Sequence, residues 1–277
     1  MSKIILVPTD FTAVAENAVN HAIAVARTIQ GEITLVHIVP KKSHVDEART
    51  KLKLLIERLN GSASDVTIKP MVRVGSIFED IGDVAEEISA ELIVMGTHGM
   101  RGMQFITGSR ALKVITSSST PFVVVQERPI KESGYDDIVV PLDLSKETKQ
   151  KLAIVAEMAK YFKSRLHLVT PTETDEFLKN QLERNLTFAK RYFNDHKIEF
   201  TTTVSKGKSG KFDEGILEHA KEINADLVAI MNLAANSLVG MLGGSYVQNI
   251  LTNKEQIPVL ILNPVSTSSI KGNVMFT

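Results

Sequence analysis

The chain has 277 residues, 43% of them apolar, and at roughly 100 to 200 residues per domain this length points to two modest domains with buried cores. Cysteine and tryptophan are absent, which excludes a disulfide framework, a thiolate nucleophile, a zinc-cysteine site and an iron-sulfur cluster, and fits a reducing cytosol. The 32 basic and 32 acidic side chains cancel, so duplex nucleic acid, which needs a concentrated basic surface, is not an expected partner, and the short apolar runs make a membrane none either.

The first predicted element is a strand at residues 3–8, carrying Ile4-Ile5-Leu6-Val7 and ending in Pro8-Thr9-Asp10. That apolar run is too short for a secretory segment or for a membrane span of about 20 residues, and a cytoplasmic protein is expected. A helix follows, because Ala15, Val19, Ala22, Ala26 and Ile29 recur at spacings of three and four and form one stripe. Thr12 is placed to cap its start and Gly31 to end it. Further strands are predicted at 32–38, 67–74, 91–96 and 121–126, with helices between them. Strands built of continuous β-branched residues that alternate with helices imply a parallel sheet covered on both faces.

The same series then recurs. Ile4 to Phe11 (IILVPTDF) matches Ile138 to Leu144 (IVVPLDL), Glu87 to Val94 matches Glu222 to Ala229, and Thr120 to Val125 matches Ile257 to Leu262. Three matches in one order are a tandem duplication. The expected organisation is a domain at 1–127, a linker at 128–136 with Pro129 and Gly134, a second domain at 137–264 and a tail at 265–277. In the second copy Ser145 is the cap candidate before a stripe of Leu152, Val155, Ala156, Ala159 and Phe162. A long helical run over 172–195 puts Phe177, Leu182, Leu186, Ala189 and Phe193 on one face. The fold class is two tandem doubly wound α/β domains, each a mostly parallel five-stranded sheet.

In open sheets of this kind ligands bind at the carboxyl ends of the strands, where the strand order reverses. Strand one ends at Asp10, whose carboxylate can accept from a ribose hydroxyl or an adenine amino group, or can cap the first helix. Strand four ends in Met95-Gly96-Thr97-His98-Gly99, and Gly108-Ser109 opens the last helix of the copy. The two glycines let a phosphate approach the backbone, and the helix start suits an anion with Arg101 and Arg110 as countercharge. As the plain alternative, the glycines form turns, Ser109 is an N-cap and His98 bonds the local backbone.

These residues carry a family resemblance. ILVPTDF, LVHIVP, LIVMGTHG, GSRALKVI and TPFVVV in the first copy, and IVVPLDL, ADLVAIM, GGS and IPVLIL in the second, resemble the universal stress protein family in tandem form over about 260 residues. The resemblance implies a stress-response module that binds ATP, with or without magnesium on its phosphates, and not a classical enzyme. It implies an adenine and ribose pocket from Pro8, Thr9, Asp10, Ile38, Met95 and Gly96, and phosphate contacts near His98, Gly99, Gly108, Ser109 and Arg110. The ATP-binding branch carries Gly-x2-Gly-x9-Gly-Ser/Thr, whereas eight residues separate Gly99 from Gly108 here. In the second copy Met231 and Ala234 replace the first two glycines, so that copy reads as degenerate. The resemblance further implies that fifth strands pair, here between the two copies as an intramolecular pseudo-dimer, and a homodimer of chains is a second expectation. An interaction scaffold without nucleotide and a weak ATP-hydrolysing enzyme are the alternatives.

Two remaining features point elsewhere. Gly207-Lys208-Ser209-Gly210-Lys211 departs from a P-loop, since Ser205 and Phe212 stand where glycine and a magnesium-binding hydroxyl belong. The seven histidines lack metal-ligand spacing, and no serine has a base partner in the sequence, so no metal site or hydrolytic triad is expected.

Overall fold

The computed structural model describes residues 3–97, 108–206, 211–233 and 240–265, and the chain divides into two compact units, Met1–Gly134 with Gln256–Pro258, and Tyr135–Glu255 with Val259–Thr277. The first runs β1 (Ile4–Pro8), α1 (Ala13–Ile29), β2 (Glu32–Val39), α2 (Val45–Ala63), β3 (Ile68–Val74), α3 (Asp80–Glu87), β4 (Leu92–Gly96), α4 (Gly108–Thr116) and β5 (Phe122–Val125). Its strands are parallel in the order β3-β2-β1-β4-β5, so the chain moves outward from β1 to β3 and then returns to the other side of β1 with β4. Leu92 to Met95 and all four residues of β5 are buried without alternation, as in strands covered on both faces.

The second unit repeats this with β6 (Asp137–Pro141), α5 (Leu152–Phe162), β7 (Arg165–Thr170), α6 (Glu176–Asp195), β8 (Phe200–Val204), α7 (Phe212–Glu222), β9 (Leu227–Met231), α8 (Gly240–Leu251) and β10 (Val259–Leu262). Its parallel order is β8-β7-β6-β9-β10. No helix among the described residues is long and apolar enough to cross a membrane.

Thr12 caps α1 as its position predicts, its side chain accepting from Ala15 N at 3.3 Å. The end of α1 differs from expectation: the left-handed residue is Gln30, at φ 54°, and not Gly31. Gly31 has another reason to be glycine, because a Cβ there would lie 2.7 Å from the carbonyl oxygen of Lys3. Ser145 caps a short 3-10 turn over Lys146–Lys149, and the α-helix starts only at Leu152. On α6 the expected face holds at Leu182, Ala189 and Phe193, but Phe177 in the first turn is 70% exposed, since the buried positions of that helix begin at Leu182.

Within the stretch predicted as linker, the carbonyl of Arg128 accepts from Asn17 Nδ2 (2.9 Å) and contacts His21 Nε2 (3.1 Å), both on α1. Tyr135 is fully buried with its ring edge-on to Phe162. His21 has no exposed surface, and burial pulls its pKa down to about 4, against a bond to Arg128 that works the other way. Since the folded value lies below the unfolded value of 6.5, the unfolded chain binds more protons between pH 6.5 and 4, and stability falls as pH falls through that window. Chemical denaturation at pH 7 and pH 5 is expected to show a loss of about 2 kcal/mol from this group, absent in His21→Gln. An equal loss in the variant would assign the acid limb to other groups.

Candidate functional site

The strand order reverses between β1 and β4, and the residues that leave these strands surround a cavity of about 220 Å³. Pro8, Thr9, Asp10, Ile38, Met95 and Gly96, the six sequence-predicted residues that lie at strand ends, all line it. His98 and Gly99 fall outside the described residues. Gly108, Ser109 and Arg110 form the first turn of α4. The glycine-rich stretch 207–210 and Ala234 also fall outside the described residues.

Pairing of β1 with β2 continues one step past the strand, where Thr9 N donates to the Val36 carbonyl at 2.8 Å. Asp10 Oδ1 then accepts from both Thr12 N (3.0 Å) and Thr12 Oγ1 (2.6 Å). The two readings of Asp10 thus meet in one group: it orients the threonine that caps α1, and its Oδ2 is the acceptor that this cap does not use. Valine, isoleucine and methionine side chains from Val36, Ile38, Ile81 and Met95 supply apolar walls.

Sequence reasoning missed His37, which was set among scattered histidines. Its Nδ1 lies 2.7 Å from the Thr9 carbonyl, and since a carbonyl only accepts, Nδ1 carries the proton. The ring packs against Phe11 with centroids 4.6 Å apart. Phe11 itself has φ 65°, a conformation that bulky residues rarely adopt, and its N–H donates to Thr9 Oγ1 at 3.1 Å. The usable sequence signal was position: His37 is one residue beyond Val36, the register partner of Pro8.

Gly96 is required by packing. A Cβ on it would stand 2.6 Å from the carbonyl oxygen of Val14 and 3.0 Å from Ala15 N, so the first turn of α1 sits directly on the end of β4. The second copy has Met231 at this place, buried, and its helix gives way: the corresponding turn is the 3-10 segment 146–149. Behind it Lys151, at the position of Ala18, is 2% exposed and donates to the Pro141 carbonyl at 2.6 Å and to Thr148 Oγ1 at 3.1 Å. Burial lowers its pKa to about 8, countered by the nearby Asp143. Burial raises Asp143 in turn, with Lys151 opposing. A cation of the chain itself therefore acts electrostatically on the aspartate that corresponds to Asp10, without a direct ion pair to it. Among the described residues no group of three or more histidines and acids could hold a metal.

A sequence model described as the universal stress protein family matches residues 1–126 and again 134–263. The chain belongs to the universal stress protein family. Universal stress protein MJ0577 of Methanocaldococcus jannaschii is 27% identical over 157 residues, which are 46% of this chain and 97% of that protein. Universal stress protein G of Shigella flexneri is 30% identical over 143 residues, 46% of this chain and 100% of its own length. Both relatives carry once what this universal stress protein carries twice. A crystal structure of a universal stress protein from Archaeoglobus fulgidus matches 95% of this chain and 97% of that one, with a TM-score of 0.72 at 18% identity, a likeness of fold.

Proposed function

We propose that this universal stress protein binds an adenine nucleotide, ATP in the first instance, in its first unit, and that it acts through binding and not through turnover. The observation that carries the reading is the cavity at the strand reversal, with apolar walls for a base and the Asp10 Oδ2 acceptor for ribose hydroxyls. Gly108 to Arg110, at the start of α4, are the residues assigned to the phosphates, because helix-start amides carry partial positive charge. Magnesium would arrive on those phosphates. Pairing of the two copies through their uncharged fifth strands, and a cytoplasmic place of action, belong to the same reading.

For the second unit a different role is favoured by one observation: a lysine, Lys151, is buried on the Pro141 carbonyl and acts electrostatically on Asp143, while Met231 is buried at the place of Gly96. We assign that unit a structural or partner-binding role without nucleotide.

The test is to denature freshly purified protein, identify released nucleotide by mass spectrometry, and titrate emptied protein with ATP and magnesium by calorimetry. One nucleotide per chain is expected, with affinity reduced about tenfold or more in Asp10→Ala, since a hydrogen bond to a charged group is lost. Two nucleotides per chain would refute the assignment of the second unit. The absence of both released nucleotide and binding heat would refute the reading and leave the scaffold alternative.

A further inference from the structure

We propose that the first unit carries a second small-molecule site, between α1, α2 and the β1–α1 loop, for an amphipathic anion: a short-acyl or aromatic carboxylate. A cavity of about 350 Å³ opens there, lined by Thr9, Phe11, Glu16, Lys51, Leu54, Leu55 and Arg58. Its volume lies within the range of small-ligand pockets. It is separate from the cavity at Asp10, with Thr9 lining both.

The chemistry of the lining selects the ligand. Phe11, Leu54 and Leu55 form an apolar wall, and Leu54 leaves 61% of its surface exposed. Phe11 is held in its unusual backbone conformation with its ring between His37 and Lys51, whose Nζ lies 6.0 Å from the ring centre. Two cations stand on the rim. Lys51 pairs with Glu47 at 2.7 Å and Arg58 with Glu16 at 2.8 Å, and all but the half-buried Glu16 are exposed. Exposed pairs of this kind contribute little, so both cations can turn to a ligand, and Arg58 has further N–H donors beyond the one on Glu16.

The second copy shows what the same place looks like when closed. The buried positions Leu52, Leu59 and Ala63 of α2 correspond to Leu182, Ala189 and Phe193 of α6, which sets Gln181 at the place of Lys51 and Asn185 at that of Leu55. Gln181 Nε2 donates to the Leu144 carbonyl at 2.7 Å, and Asn185 Nδ2 to those of Asp143 (2.8 Å) and Ser145 (3.2 Å). These amides tie α6 to the loop. The first copy has instead an exposed lysine and a largely buried leucine that line the cavity.

The inference is tested on the full chain with ¹³C-methyl leucine and methionine labels, using octanoate and phenylacetate as probes. Saturable shifts of the Leu54 and Leu55 methyls are expected with at least one probe. The double variant Lys51→Gln/Leu55→Asn, which installs the second copy's residues, is expected to weaken that response about tenfold or more. Leu54→Asp, at an exposed position that leaves folding intact, is expected to weaken it likewise. No saturable shift with either probe, or a response unchanged in Leu54→Asp, would overturn the proposal. The Met95 methyl, in the other cavity, reports ATP in the same samples, so a failure of the nucleotide reading is seen separately.

Discussion

Replacing Lys151 with methionine is expected to lower the stability of the second unit by about 1 to 3 kcal/mol, the usual cost of leaving buried polar groups without their hydrogen-bond donor. Volume is nearly conserved, so the loss isolates charge and hydrogen bonding. The Pro141 carbonyl and Thr148 Oγ1 lose their donor, and the buried carboxyl of Asp143 loses its neighbouring cation. Asp143→Asn in the same background is expected to recover part of the loss, and the double-mutant cycle measures the coupling. The pH dependence gives a second readout. The folded pKa of about 8 lies below the unfolded 10.5, so between those values the unfolded chain binds more protons and stability rises with pH. The rise from pH 8 to pH 10 is expected to be about 2 kcal/mol in the parent chain and absent in Lys151→Met. A methionine variant as stable as the parent, with the same alkaline slope, would show that the lysine contributes nothing.

Gly96→Ala is the second substitution with a large expected effect, although it adds only one methyl group. The added Cβ would meet backbone atoms of Val14 and Ala15, which move only if the first turn of α1 moves. Overpacking of this kind costs typically 1 to 3 kcal/mol, and the upper half of that range, about 2 to 3 kcal/mol, is expected because the obstacle is main chain. The same displacement would shift Thr12 and with it the Asp10 carboxylate, so ATP affinity is expected to fall along with stability. Chemical denaturation and calorimetry on the same preparation measure both. Stability within about 0.5 kcal/mol of the parent, the scatter of ordinary surface substitutions, would show that α1 accommodates the methyl group. The second copy illustrates the accommodation that α1 would need: with Met231 at this position, a 3-10 turn replaces the start of the helix.

Much of the architecture was legible because duplication and periodicity are local signals. Ile4 to Val7 and Phe122 to Val125 announce strands by continuous apolar residues, and Thr12 announces a cap by its chemistry. The six residues around the 220 Å³ cavity were legible as strand ends, but their grouping into one pocket was what the family resemblance implied. His37, Phe11 and Lys151 were not legible. Each depends on which side of an element faces its neighbour, and for Lys151 on a helix that starts at Leu152 and not at the cap. Phe177 shows the converse, an apolar residue in register with a buried face but in a turn that precedes the buried positions.

By itself the sequence determined two copies of a parallel α/β unit, the strand ends at which a ligand site forms, and the difference between Gly96 and Met231. These follow from apolar spacing, which selects strand or helix, and from the Cβ that glycine lacks. Tertiary structure alone decided what that difference does. The first turn of α1 packs directly on Gly96, whereas the second copy has a 3-10 turn there and buries Lys151 on the Pro141 carbonyl. It also decided that α2 leaves a cavity against the β1–α1 loop while α6 closes on its counterpart through Gln181 and Asn185. Such outcomes depend on distances between segments far apart in the chain, which packing sets and local residue pattern does not.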